Sequence, residues 1–62
     1  MLTLKEIRAK AEKKGIEEAL GRTAGNISMA SKLLEIDRAW LTKRINEYQI
    51  DVNHYRVVDI QK

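Results

Sequence analysis

Four polar side chains lie at a spacing that suits contact with the edges of base pairs. When residues 38–48 are drawn as a helix, Arg38, Thr42, Lys43 and Asn46 all point away from its apolar side. Arginine can donate two hydrogen bonds to O6 and N7 of guanine, and lysine reaches the same acceptors. This chemistry, on the exposed side of a short helix, indicates a helix that could enter the major groove of a nucleic-acid duplex.

The flanks of this helix and the start of the preceding one supply the other candidate contacts. Asn26 and Ser28 are expected at a helix start, where polar side chains and free backbone N–H groups can face a phosphate. Arg44 is expected to pair or stack beside the base edges. Trp40 has two interpretations: a partly buried core or interface residue, or a ring edge against a sugar or a thymine methyl. The predicted DNA contacts are Asn26, Ser28, Arg38, Ala39, Trp40, Thr42, Lys43, Arg44 and Asn46.

The first predicted helix carries two apolar faces. Thr3 and Glu6 have the spacing of a capping box, so the helix is expected to begin at Leu4 and to continue through Gly15. Glycine at that position could instead break the helix. The two faces consist of Leu4, Ile7 and Ala11 and of Ile16, Ala19 and Leu20. Because they point in different directions, we expect the second face to pack on the other helices and the first on a second subunit.

A second, shorter helix is predicted over residues 27–34. Gly25 suits the residue just past a helix end, and Asn26 can cap the helix that follows. The apolar stripe of this helix consists of Ile27, Ala30, Leu33 and Leu34. Small Ala30 allows another helix to approach closely, which a helix-turn-helix requires.

The third helix is predicted from residue 38 to about residue 48, with Asp37 as its cap. It is expected to bury Leu41, Ile45 and Tyr48. Helical periodicity is lost after Ile50, so residues 51–62 are predicted to form a tail, with a short strand as the alternative. The apolar residues that favour a strand are Val57, Val58 and Ile60.

Size and composition exclude several classes of function. The chain has 62 residues, enough for one domain, and a core this small is expected to need support from a partner subunit. With no Cys and one His, we expect no metal site and no cofactor. We do not expect an enzyme, because the sequence shows no nucleophile accompanied by a base. The 12 basic and 9 acidic residues give a net charge of +3, which suits a polyanion partner. No membrane span or signal peptide is evident, so a cytoplasmic protein is expected.

The spacing of residues 16–50 follows a known pattern without an insertion. The matching positions are Ala19, Leu20, Thr23, Gly25, Asn26, Ala30, Leu33, Leu34, Ile36, Arg38, Leu41, Lys43, Arg44, Ile45, Tyr48 and Ile50. Through them the chain resembles the Fis-type helix-turn-helix domain that ends many bacterial enhancer-binding activators. Glu35 stands where that family usually has a glycine in a left-handed conformation, so we expect the turn there to be strained or differently capped.

The resemblance implies an all-α, homodimeric fold that joins a long N-terminal helix to a two-helix DNA-binding motif. The implied domain covers residues 1–50, with a core and dimerisation helix in 1–23, the helix-turn-helix in 26–48, and a C-terminal tail in 51–62. In the family, the positions of Arg38 and Lys43 face bases. The dimer seam is expected at Leu4, Ile7 and Ala11.

The implied function is sequence-specific binding of double-stranded DNA at a palindromic site. The resemblance places such a domain at the C-terminus of NtrC-family activators that depend on the nitrogen-type sigma factor, sigma-54. In a full-length protein of that kind, an ATPase domain acts on RNA polymerase carrying this sigma factor. Two alternatives remain from the sequence alone: a free-standing nucleoid protein that bends DNA, and a helical module that binds an acidic protein partner.

Overall fold

The computed structural model describes residues 3–56, and the regular elements in this part of the chain are all helices. The elements are α1 (Leu4–Arg22), α2 (Ile27–Leu34), α3 (Arg38–Glu47) and a short 3₁₀ turn (Val52–His54). The all-α prediction is therefore confirmed. The strand considered through Val57, Val58 and Ile60 lies outside the described residues.

α1 begins at the predicted capping box and runs without a break through Gly15. The Glu6 N–H donates to Thr3 Oγ1 at 3.2 Å, and the Thr3 N–H donates to Glu6 Oε1 at 2.7 Å. These reciprocal bonds satisfy two backbone donors that a helix start would otherwise leave free. The prediction of a continuous first helix is confirmed.

α2 and α3 also begin at their predicted caps. Asn26 Oδ1 accepts a hydrogen bond from the Met29 N–H at 3.1 Å. Asp37 Oδ2 accepts from the N–H groups of Ala39 and Trp40, at 3.0 and 3.3 Å. Residues 35–37 join the two helices, and this tight connection sets the start of α3 beside the start of α2.

The three helices end in the same kind of turn, in which a residue other than glycine adopts a left-handed conformation. These residues are Ala24, Glu35 and Gln49, with φ values of 55°, 57° and 56°. After α2, the Ile36 N–H donates to the Ser31 carbonyl at 3.0 Å and the Glu35 N–H donates to the Lys32 carbonyl at 3.1 Å. These are the two bonds of a Schellman motif. The strain expected at Glu35 is present, because a side chain disfavours this backbone region.

The core is formed where the C-terminal half of α1 meets α2 and α3. Its buried apolar side chains are Ile16, Ala19, Leu20, Ala30, Leu41, Ile45 and Ile50. The sequence pattern places Leu33 on the apolar stripe of α2, but its side chain is 52% exposed. Ser31 is buried instead and donates to the Ser28 carbonyl at 2.7 Å. The buried face of α2 centres on Ala30 and Ser31, so Leu33 lies at its edge, beside α1.

Residues 51–56 fold back onto the core. Val52 and Tyr55 pack against it, and Asp51 Oδ1 caps the 3₁₀ turn by accepting from the Asn53 N–H at 3.1 Å. Burial, followed by the charge of Glu17, raises the pKa of the Tyr55 hydroxyl above its ordinary value. The beginning of the predicted tail therefore has a fixed place in the fold.

The N-terminal half of α1 contacts little else. Its side chains from Thr3 to Arg8 are exposed, and Leu4 and Ile7 are 68% and 49% exposed. The first buried side chain on this helix is Ile16. Over residues 3–56, no helix combines the length and the apolar character needed to cross a membrane.

Candidate nucleic-acid interface

A depression between the starts of α2 and α3 brings together four of the predicted contact residues. Asn26 and Ser28 line it from α2, and Arg38 and Thr42 line it from α3. The Arg38 guanidinium donates to Ser28 Oγ at 3.2 Å, which ties the first turns of the two helices together. Thr42 Oγ1 donates to the Arg38 carbonyl at 3.0 Å. The depression therefore combines hydroxyl groups, a cation and the start of a helix, all of which suit an anion.

The outer face of α3 carries three more predicted residues. Ala39, Lys43 and Asn46 are exposed and lie opposite the buried Leu41 and Ile45. The small side chain of Ala39 leaves room for a ligand to approach α3 closely between the larger side chains. Lys43 and Asn46 present hydrogen-bonding groups of the kind that read base edges. This face continues directly from the depression through Arg38 and Thr42.

Trp40 and Arg44 lie on the opposite flank of α3, which faces α1. The Arg44 guanidinium stacks over the Trp40 ring, with 4.8 Å between its Cζ atom and the ring centroid. Arg44 Nη1 lies 3.0 Å from Glu47 Oε1, and Arg44 Nε lies 3.6 Å from Glu12 Oε1. Two carboxylates therefore offset the charge of this guanidinium. Trp40 lines a shallow depression together with Glu12 and Ile16 of α1.

Tyr48 extends the same flank and links the end of α3 to α1. Its hydroxyl donates a hydrogen bond to the Glu12 carboxylate. This bond, then burial and the charge of Glu12, raise the pKa of the Tyr48 hydroxyl above its ordinary value of 10.0. Tyr48 therefore keeps its proton at neutral pH and remains a donor. The contact helps to set the angle of α3 relative to α1.

The predicted site thus divides into two groups. Seven of the nine residues form one continuous surface across the start of α2 and the outer side of α3: Asn26, Ser28, Arg38, Ala39, Thr42, Lys43 and Asn46. Trp40 and Arg44 are turned towards α1 and are held there by contacts with each other and with Glu12. The predicted seam residues Leu4, Ile7 and Ala11 are exposed, away from this surface.

Arg56 is a residue of this surface that the sequence pattern did not indicate. It follows the 3₁₀ turn and lines the same depression as Arg38 and Ser28. Its place depends on the path of residues 51–56 across the core, for which the sequence carries no local signal. Because Arg56 lies beyond the last predicted helix, the sequence pattern alone places it in the tail.

Comparison with known proteins agrees with this geometry. A family model described as "Bacterial regulatory protein, Fis family" matches residues 7–48, which include α2, α3 and most of α1. Neither a curated protein nor a solved structure matches the chain significantly.

Proposed function

Because the chain belongs to the Fis family of bacterial regulatory proteins, we propose that it binds double-stranded DNA in a sequence-specific manner through α3. The observation that carries the proposal is the continuous polar surface formed by the start of α2 and the outer side of α3. In a helix-turn-helix, the second helix lies in the major groove and the first crosses the backbone. α3 would then read bases, and α2 would hold the phosphates.

Roles within this surface follow from side-chain chemistry. Lys43 and Asn46 lie on the outer face of α3, where they would meet base edges, and Arg38 lies at its start. An arginine or lysine suits guanine, and an asparagine suits adenine. Asn26 and Ser28 lie at the start of α2, where a phosphate would meet free N–H groups and the positive end of the helix.

The functional unit in this proposal is a homodimer. Leu4, Ile7 and Ala11 repeat along one side of α1 in the half of the helix that the core does not cover. A helical segment this short is marginally stable in water without tertiary contacts. A second copy packed on these residues would bury them and relate two α3 helices by two-fold symmetry. Such a dimer would read a palindrome with half-sites one helical turn apart, ~34 Å.

In its biological setting, we propose that the chain serves as the C-terminal DNA-binding domain of a sigma-54-dependent activator. The support for this setting is the pattern of residues 16–50, which resembles the domains of such activators. An ATPase domain acting on RNA polymerase would belong to another part of the protein. Binding to chromosomal DNA implies action in the bacterial cytoplasm.

Replacement of Arg38 tests base reading. Arg38→Ala should weaken binding to a duplex selected from random sequences by about 1–3 kcal/mol, with a smaller loss on a scrambled duplex. The losses differ because the selected duplex loses a guanine contact with Arg38, whereas the scrambled duplex has no such contact to lose. Fluorescence anisotropy titration of both duplexes measures the difference, and circular dichroism checks the fold.

The matched control is Lys5→Ala, which removes a positive charge from an exposed position in the first turns of α1, outside both helices of the motif. It should leave affinity for both duplexes nearly unchanged. An equal loss on selected and scrambled duplexes for Arg38→Ala would show that this guanidinium holds phosphate and reads no base.

A further inference from the structure

Arg56 belongs to neither helix of the motif, yet its side chain lines the depression between them. The other lining residues include Ser28, Arg38 and Thr42. Two guanidinium groups, from α3 and from the C-terminal segment, therefore border the same concave surface. Among the described residues that line the depression, none carries a carboxylate. The positive charge of the depression is thus not offset by a carboxylate among these lining residues.

Close packing against Gly25 fixes the position of Arg56. Gly25 is buried directly before the cap of α2, with φ of 79°. A Cβ atom on Gly25 would lie 2.7 Å from Arg56 Cγ, 3.1 Å from the Val52 carbonyl oxygen and 3.2 Å from the Arg56 backbone nitrogen. Only glycine leaves room for this approach. The absence of a side chain on Gly25 therefore lets the C-terminal segment reach the start of α2.

The segment that carries Arg56 is anchored by its own contacts. Val52 and Tyr55 pack against the core. The Tyr55 N–H donates to the Val52 carbonyl at 3.0 Å, and the Arg56 N–H donates to the Asn53 carbonyl at 3.2 Å. The backbone at Arg56 is thus held in place before any ligand arrives, which lowers the entropy lost on binding.

We propose that Arg56 is a DNA-backbone contact, which binds a phosphate of the duplex that α3 reads. This inference rests on the proposed function. A guanidinium matches a phosphodiester because it can donate two parallel hydrogen bonds to the phosphate oxygens. Arg38 and Arg56 then have separate roles at one depression. Arg38 contacts a base edge, whereas Arg56 binds a backbone phosphate where the DNA strand passes the start of α2. The C-terminal segment becomes part of the DNA-binding surface.

The salt dependence of DNA binding tests this role. Each phosphate contact contributes about 0.9 to the negative slope of log affinity against log salt concentration. Arg56→Gln should reduce the magnitude of this slope by about 0.9 for each subunit bound. Its affinity should fall equally on a selected and a scrambled duplex, because a phosphate contact carries no sequence information. Anisotropy titrations over a series of salt concentrations give both quantities.

Two further variants separate charge from structure. Arg56→Lys keeps a cation in place and should retain most of the wild-type slope. Lys5→Gln removes a charge from exposed α1 and should leave the slope unchanged. The proposal is overturned if Arg56→Gln keeps the wild-type slope, or if Arg56→Lys reduces the slope as much as Arg56→Gln does. A wild-type protein that binds no duplex at low salt would instead reject the proposed function itself.

Discussion

Lys43 and Arg44 are neighbours in sequence but differ in their electrostatic surroundings. Lys43 lies on the exposed outer side of α3, and within residues 3–56 it forms no ion pair. Arg44 lies between Glu12 and Glu47 and stacks on Trp40. A phosphate competing for Arg44 would have to displace two carboxylates. In the proposed complex, the positive charge that meets DNA would therefore come from Arg38 and Lys43, together with Arg56.

A second feature at the residue scale is the strain at Glu35. Glu35→Gly should raise the free energy of unfolding by about 0.5–1 kcal/mol, because glycine adopts the left-handed conformation without steric cost. Part of the gain is offset by the greater freedom of glycine in the unfolded chain. Urea unfolding followed by circular dichroism measures the change.

Glu35→Ala is the control for this prediction. It removes the same carboxylate but retains a Cβ atom, so the backbone strain should remain. If alanine stabilises the chain as much as glycine does, the effect comes from the lost charge, and the strain interpretation is wrong.

At the scale of elements, α1 has two halves with different surroundings. Ile16, Ala19 and Leu20 in the second half are buried against α2 and α3. The first half carries the exposed apolar side chains of Leu4 and Ile7. α1 thus packs into the core at one end and leaves the apolar side chains of Leu4 and Ile7 uncovered at the other. The proposed dimer gives the uncovered end a packing partner.

Ile7→Asp tests this arrangement. A charge in the proposed seam would be desolvated without a partner, so the dimer dissociation constant should rise by at least about tenfold. Analytical ultracentrifugation measures the change. Lys5→Asp is the control, because Lys5 lies on another side of the same helix and should tolerate an acidic residue. A dimer that survives Ile7→Asp would require a seam elsewhere.

Local sequence signals predicted the elements well, whereas long-range contacts were not predictable. Thr3, Asn26 and Asp37 cap their helices as expected, because capping depends on residues only two or three positions apart. The exposure of Leu33 and the approach of Arg56 to Gly25 depend on how distant segments pack. The single sequence contains no periodic pattern from which that packing could be inferred.

In the whole molecule, as described over residues 3–56, a small core joins a polar surface to an uncovered apolar helix face. The polar surface spans the start of α2 and the outer side of α3, and the apolar face lies at the N-terminal half of α1. The surfaces proposed for DNA binding and for dimerisation are thus separate. This separation would allow two subunits to associate while both α3 helices remain free to enter the major groove.

Selection from a pool of randomised duplex DNA, followed by sequencing, tests whether the chain reads a DNA sequence through paired α3 helices. We expect the wild-type chain to enrich a palindrome whose half-sites are centred one helical turn apart, ~34 Å, because a two-fold dimer presents two α3 helices to one side of the duplex. Enrichment of no sequence, together with no binding to any duplex at low salt, would contradict the account.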